Sequence, residues 1–329
     1  MLASRTLEER IKRLYEKYGQ RKKMGIKNTQ KSKRPYFFLI RSFLGEQDLL
    51  VIFYTKKCRF KCTFCSLTSV SCDLPVSGLE ILRQFEYVAY EVKHALSILD
   101  RITLSNNGSV LDNITMPSAT LTKIASCIEE IRRVRTLVLE TRLEFVNRRI
   151  ITGVQNADSR LKINILTGFE TKNEYIREKI LGKHMSLQEF ELGLDKVADC
   201  QAGLTAFVMY KPSPYMTDSE ALEEANDSVD YLAQKCEQKG IGLTVRLEPM
   251  YASKDTQWTK LAYSLPSYKP PRLTDVIQLA EKKANEGIRM YIDLSTEDFD
   301  LKKGSYKFRE DYSQDLLKHA ILFNNRKMR

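Results

Sequence analysis

Strands and helices alternate along this 329-residue chain, and the alternation predicts an α/β fold: a partial (β/α)6 TIM-type barrel of parallel strands with N- and C-terminal extensions. Two further observations point the same way. The segment Leu49 to Tyr54 is short, apolar and β-rich, as expected of a barrel strand covered on both faces. Polar or glycine-containing runs follow successive strands directly, and parallel barrels gather their functional groups at those ends. The length suffices to bury a full core. The expected layout is a basic N-terminal helix and arm over 1–36, the barrel over 37–250 and a C-terminal extension packed on it over 251–329.

Taken in order, residues 5–19 set Leu7, Ile11, Leu14 and Tyr15 on one helical stripe. Extended PYFFLIRSF follows, and GEQDLLVIFYT then runs into Cys58. Between Ser77 and Ile98 the spacing of Leu79, Leu82, Phe85, Val88, Ala89 and Val92 is helical, and RITLSNNGS supplies the second strand with a glycine-containing turn. A helix over 118–132 leads to the third strand, RTLVLETR. Helical spacing is weaker over 144–157, before the fourth strand, KINILTGFE. A helix over 186–200 precedes the fifth strand, GLTAFVMYKPSP, which its prolines end. A long helix over 217–239 stops at Lys239-Gly240 and leads into the sixth strand, GLTVRLEPM. Beyond it come the proline-rich YSLPSYKPPRL, a helix over 273–286, a short additional strand RMYIDLS, and a last helix with a tail.

The formal net charge is +11, from 53 Lys and Arg against 42 Asp and Glu. Such a surface attracts polyanions before any specific contact forms. Much of the charge is local, because residues 18–34 are rich in Lys and Arg and hold no acid. That stretch reads as a basic arm with a nucleic-acid footprint, or as a solvated terminal tail. No apolar run is long enough to span a bilayer and the N-terminus has no apolar leader core, so no membrane partner and a cytoplasmic location are expected. Seven cysteines suit a reducing compartment better than a disulfide framework.

Cys58, Cys62 and Cys65 stand as C-x3-C-x2-C directly after the first barrel strand. A closed iron-sulfur site uses four protein ligands, so a compact set of three predicts a 4Fe-4S cluster with one iron open to an exogenous chelator. S-adenosylmethionine, binding through its amine and carboxylate, is the candidate. A structural zinc site would want a second Cys or His pair at fixed spacing. Cys72, Cys127, Cys200 and Cys236 and the histidines 94, 184 and 319 are too scattered to supply it. The cysteines outside the triplet read as small buried hydrophobes.

The other strand ends offer polar groups. The second gives Ser105, Asn106, Asn107, Gly108 and Ser109, where the glycine permits close approach to a ligand. The alternative is an Asn-Gly turn chosen for its backbone alone. The third ends in Glu140, Thr141 and Arg142, with Glu144 after it; the fourth in Thr167, Gly168, Phe169, Glu170 and Thr171. These suit hydrogen bonds to ribose, amine or carboxylate, although a lone carboxylate at a strand end also serves as a helix cap. Lys211 on the fifth, and Arg246 and Glu248 on the sixth, suit an anionic cofactor or substrate group, or a structural network with Glu140 or Glu170.

With Phe64 just before its third cysteine, the triplet resembles the signature of the radical S-adenosylmethionine superfamily. That resemblance implies a cluster held by Cys58, Cys62 and Cys65, reductive cleavage of S-adenosylmethionine to a 5'-deoxyadenosyl radical, and abstraction of a substrate hydrogen. Together with Phe64, the strand-end residues Asn107, Gly108, Ser109, Glu140, Arg142, Gly168, Glu170 and Lys211 are then the candidate walls around the cofactor. LETRLEF, ILTGFET and MYKPSPYMTDSEALEEA resemble the motif order of the radical domain in the Elongator catalytic subunit. LEPMYASKDTQWTKLAYSLPSYKPPRL resembles the radical subunit of archaeosine synthase, and the likeness covers roughly residues 35–285. It implies a C–N lyase acting on a modified tRNA base, with tRNA, a partner subunit and an electron donor such as flavodoxin or ferredoxin as partners. Tyr268-Lys269-Pro270-Pro271-Arg272 departs from that group's Tyr-x-Pro-Pro-Trp. The alternatives are a radical enzyme acting on a small metabolite in natural-product biosynthesis and a non-catalytic iron-sulfur protein.

Overall fold

The computed structural model describes residues 34–67, 71–250, 256–294 and 313–326. The helix expected over 5–19, nearly all of the basic arm over 18–34, and much of the C-terminal tail lie outside the described residues. The fold is α/β, with eight strands among the described residues whose sheet order is their sequence order, as a partial TIM-type barrel requires. The chain divides into two compact units, Met1–Cys58 with Val70–Ile165, and Arg59–Ser69 with Leu166–Arg329.

In the first unit, β1 (Phe37–Phe43) and β2 (Glu46–Ile52) form an antiparallel hairpin in the register Phe37↔Ile52 to Phe43↔Glu46. The turn is Leu44-Gly45, both at positive φ (50° and 79°), the two-residue geometry that matches strand twist. Pairing with β1 draws β2 several residues earlier than the apolar run alone implied. Helix α1 (Gly78–Glu91) starts with a capping box between Ser77 and Glu80 and buries Ile81, Gln84, Phe85 and Val88. The helix expected to reach Ile98 stops there, because Lys93–Ile98 bury no side chain and tighten into 3₁₀ turns. Strand β3 (Arg101–Ser105) lies parallel to β2, helix α2 (Ser118–Glu129) follows, and β4 (Thr136–Glu140) lies parallel to β3. Helix α3 (Arg148–Ala157) is capped by Asn147 and buries only Ile151 and Val154, which explains its weak periodicity. Strand β5 (Lys162–Glu170) begins in this unit and ends in the next.

In the second unit, α4 (Leu187–Asp199), β6 (Gly203–Tyr210), α5 (Asp218–Gln238) and β7 (Leu243–Pro249) alternate as expected. Capping boxes at Ser186/Glu189 and Thr217/Glu220 start both helices. Gly240, at φ +65°, turns the chain after α5. Helix α6 (Gln257–Ser264), α7 (Leu273–Asn285), β8 (Arg289–Ile292) and α8 (Gln314–Asn324) complete the described chain, and β6, β7 and β8 pair in parallel. The Asn324 amide bonds both backbone groups of Ile292, at 2.8 and 2.7 Å, and so supplies what a further strand would. Cys200 and Cys236 are buried, and burial pushes the Cys236 thiol up to about 12. Among the described residues no helix is long and apolar enough to cross a membrane.

Candidate functional site

The first unit fixes the approach to Cys58 by backbone hydrogen bonds. β2 leaves its ladder at Ile52, yet the chain stays pinned for another five residues. Phe53 N donates to Ser105 O (2.8 Å). The fully buried Gln84 of α1 takes both groups of Tyr54, accepting from its N–H (2.9 Å) and donating to its C=O (3.0 Å). Cys72 N donates to Thr55 O (2.9 Å), and Lys57 N donates to Cys72 O (2.8 Å). Burial, and then a hydrogen bond with Cys72, raise the pKa of the Tyr54 hydroxyl. Buried backbone groups demand such partners, and these bonds carry the chain from the end of β2 to Lys57.

Beside it, the end of β3 separates the two readings of Asn107-Gly108. Asn107 takes the left-handed conformation (φ 56°), which asparagine tolerates better than most residues. Gly108 does not; its role is space, because a Cβ there would stand 3.3 Å from the Cβ of Cys58. Ser109 Oγ accepts from Arg142 N (3.0 Å), and Val110 N donates to Glu140 O (2.9 Å), tying the ends of β3 and β4 together. Arg142 Nε lies 2.7 Å from Glu144 Oε1. Asn106, 1% exposed, donates through Nδ2 to Thr115 Oγ1 (3.0 Å), while its Oδ1 has no hydrogen-bond partner. That oxygen would lie 3.6 Å from a Cβ on Gly108. An orphaned buried acceptor is uncommon and costs about 1–3 kcal/mol until a donor reaches it.

The second unit holds the rest of the cysteine loop. Cys65 N donates to Cys62 O (3.2 Å), closing a turn around Thr63 and Phe64. Phe64 packs on the apolar cluster of Ile176, Leu181, Met209, Met250, Trp258 and Ala262. At the end of β5, Glu170 (φ 69°) meets Lys183 at 2.6 Å, with both side chains under a tenth exposed. A Cβ on Gly168 would collide with both groups, so this glycine accommodates the ion pair. Arg177, wholly buried, donates to the carbonyls of Met185, Phe169 and Thr171 and holds the loop that carries Lys183. Lys211 (φ 65°), just past β6, sits 2.8 Å from Asp218 at the start of α5. Arg246 of β7 pairs with Asp293 at 2.6 Å.

The predicted residues thus fall into two groups. Cys58, Asn107, Gly108, Ser109, Glu140 and Arg142 belong to the first unit; Cys62, Phe64, Cys65, Gly168, Glu170 and Lys211 to the second. Sequence reading left Gln84 and Lys183 out entirely and named Asn106 without assigning it to the site. Gln84 had a signal: it is a polar residue on the buried stripe Ile81, Phe85 and Val88. All three triplet cysteines are outside any disulfide and half-buried, so the donor set suits an iron-sulfur cluster. Among the described residues no three His, Cys, Asp or Glu are grouped to hold a single ion. A 4Fe-4S cluster does not ask for that, because each thiolate meets a different iron.

No family model matches the chain. An archaeosine synthase subunit beta from Thermococcus kodakarensis is 20% identical over 63% of this chain and 64% of its own length. The corresponding subunit of Methanosarcina acetivorans is 22% identical over 71% and 66%. The chain resembles archaeosine synthase subunit beta. It spans slightly under two thirds of both subunits. An uncharacterised protein of Methanocaldococcus jannaschii is 22% identical over 95% of this chain and 85% of its own. Among solved structures, Streptococcus suis SuiB bound to its precursor peptide SuiA superposes with a TM-score of 0.50 at 13% identity, covering 78% of this chain and 51% of that one. SuiB shares the fold.

Proposed function

We propose that this chain is a radical S-adenosylmethionine enzyme whose substrate is a modified base of transfer RNA and whose reaction is a C–N bond cleavage. Cys58, Cys62 and Cys65 would hold a 4Fe-4S cluster, and S-adenosylmethionine would occupy the open iron. When bound, these groups supply one-electron reductive cleavage to a hydrogen-abstracting 5'-deoxyadenosyl radical. The observation that carries the reading is the unpartnered, buried Oδ1 of Asn106 beside Gly108, against Cys58. An acceptor in that position suits an ammonium, whose hydrogens would satisfy it. Asn107 sets the turn, Ser109 and Arg142 brace it, and Gln84 orients the backbone before Cys58. The likeness to archaeosine synthase subunit beta supports the substrate class, and the name of that relative supports a partner subunit. A reduced flavodoxin or ferredoxin would supply the electron.

The test is reconstitution of the cluster followed by reduction in the presence of S-adenosylmethionine. 5'-Deoxyadenosine is the expected product, and its absence with an intact cluster would remove the enzymatic reading. Deuterium transferred into 5'-deoxyadenosine from labelled tRNA would support the base as substrate. Transfer from a small metabolite instead would redirect it.

A further inference from the structure

We propose that a basic surface of the second unit, assembled around Thr63, docks the phosphate backbone and unpaired bases of an RNA; this rests on the tRNA reading above and gives it a location. Three segments distant in sequence meet at that residue. Thr63 N donates to Leu181 O (2.9 Å), its Oγ1 donates to Ile180 O (2.6 Å), and Trp258 N donates to Thr63 O (3.0 Å). The Trp258 ring meets Tyr268 edge-on at 5.5 Å, and Phe64 and Tyr268 pack on the same apolar cluster. Residues 59–67, 175–185 and 256–272 are thereby held as one piece.

The exposed cations of these segments are Arg59, Lys61, Lys179, Lys260, Lys269 and Arg272. Residues 59–67 and 256–274 contain no Asp or Glu at all. The acids of and beside the middle segment are turned onto backbone: Glu178 accepts from Met185 N (2.9 Å) and Glu174 from Leu187 N (3.3 Å). Pro212 O accepts the indole N–H of Trp258 (2.8 Å), which brings the start of α5 near. Its acids are engaged too, Asp218 by Lys211 and Glu220 by the Thr217 cap. Cationic side chains therefore dominate the field of these segments. Tyr175 and Tyr263 are 69% and 55% exposed on the same segments. Lys and Arg interleaved with open aromatic rings is the chemistry that tracks phosphates and stacks unpaired bases. An acidic protein would answer the cations but make no comparable use of the rings.

The test titrates the full chain, with its cluster reconstituted, against an unmodified tRNA transcript at several salt concentrations. The combined variant Lys260→Glu, Lys269→Glu, Arg272→Glu is expected to weaken binding at least ~10-fold and to flatten the slope of log affinity against log salt by about 2 to 3. Tyr263→Ala is expected to weaken binding ~10-fold and leave the slope unchanged. Cleavage of S-adenosylmethionine without RNA should be the same in all forms, which shows that the fold and cysteine loop are intact. If the wild-type chain binds tRNA and the triple variant binds it equally well, the surface is wrong while the tRNA reading stands. Equal tRNA binding with slower reduction by flavodoxin assigns the surface to an acidic protein and overturns the proposal. No tRNA binding by the wild-type chain overturns both.

Discussion

The strand ends of the two units differ in one respect: a buried polar atom is left without a partner at the end of β3 in the first. In the first unit, β3 ends in neutral groups tied to the end of β4 through hydroxyl and backbone, the charges just past β4 answer each other as Arg142 and Glu144, and one buried acceptor, Asn106 Oδ1, is left over. In the second, β5, β6 and β7 are followed by or carry charges that are already answered: Glu170 by Lys183, Lys211 by Asp218 and Arg246 by Asp293. The difference bears on where a ligand is received. Engaging a paired buried charge means breaking a contact whose loss costs about 3–5 kcal/mol, whereas satisfying a lone acceptor recovers its desolvation. On the function proposed above, this argument has the first unit receive the ligand and the second unit stiffen. A carboxylate at a strand end is then weak evidence for a ligand until its partner is known.

The largest effect expected is from the cysteines. Replacing Cys58, Cys62 or Cys65 by alanine should reduce iron per chain to background and abolish 5'-deoxyadenosine, while Cys72→Ala, which keeps the backbone bonds to Thr55 and Lys57, should retain the iron. Iron retained by Cys58→Ala and lost by Cys72→Ala would reassign the ligand. Next comes the buried pair. Glu170→Ala leaves the Lys183 ammonium without its carboxylate and should destabilise the fold by about 3–5 kcal/mol in denaturant unfolding. A Glu170→Met, Lys183→Met double variant should recover most of that and bind S-adenosylmethionine nearly as the wild type does. If the double variant folds well but no longer binds it, Glu170 is a ligand and the contrast between the units fails.

A smaller and more specific effect is expected at Asn106. Asn106→Ala should weaken S-adenosylmethionine binding about 10-fold, or about 1.4 kcal/mol, as read by calorimetry on the reconstituted protein. It should also lower Tm, because the bond to Thr115 goes with it. Asn106→Asp separates the two losses: it keeps the acceptor and gives up the donor, so affinity should return while Tm stays low. Affinity lost equally in both variants would mean that Asn106 only braces the turn.

Much of this was legible in the sequence, and the exceptions share a physical cause. The strand read as KINILTGFE is β5 residue for residue, and α5 ends at the glycine that predicted its stop. The hairpin was not read, because Leu44-Gly45 does not carry the usual Asn or Asp signal for two positive φ values. Helix α6 escaped because only Trp258, Thr259 and Ala262 of its eight residues are buried, too few for a period to show. The charged strand ends were visible, but their partners were not. Lys183 reaches Glu170 from thirteen residues away through a loop held by Arg177, and no spacing rule connects them. Local periodicity reports which face is buried; it does not report which buried charge meets which.

The smallest effect expected is away from the strand ends, on the acid side of the stability curve. Asp158 follows α3, and Arg160 bonds its carboxylate while donating to Glu129 O (2.6 Å) at the end of α2. The hydrogen bond from Arg160 holds the Asp158 carboxyl below the usual aspartate range, partly against its own burial. A carboxylate whose folded pKa is depressed adds stability above its unfolded value, near 3.9, and loses it as pH falls through the folded value. Asp158→Asn should therefore lower Tm by about 2 °C at neutral pH, in keeping with a pair whose arginine is partly exposed to solvent. The gap between wild type and variant should close as the pH drops below the ordinary aspartate range. A gap of constant size into strong acid would show that the asparagine costs packing rather than charge, and that the carboxylate contributes nothing by being ionised.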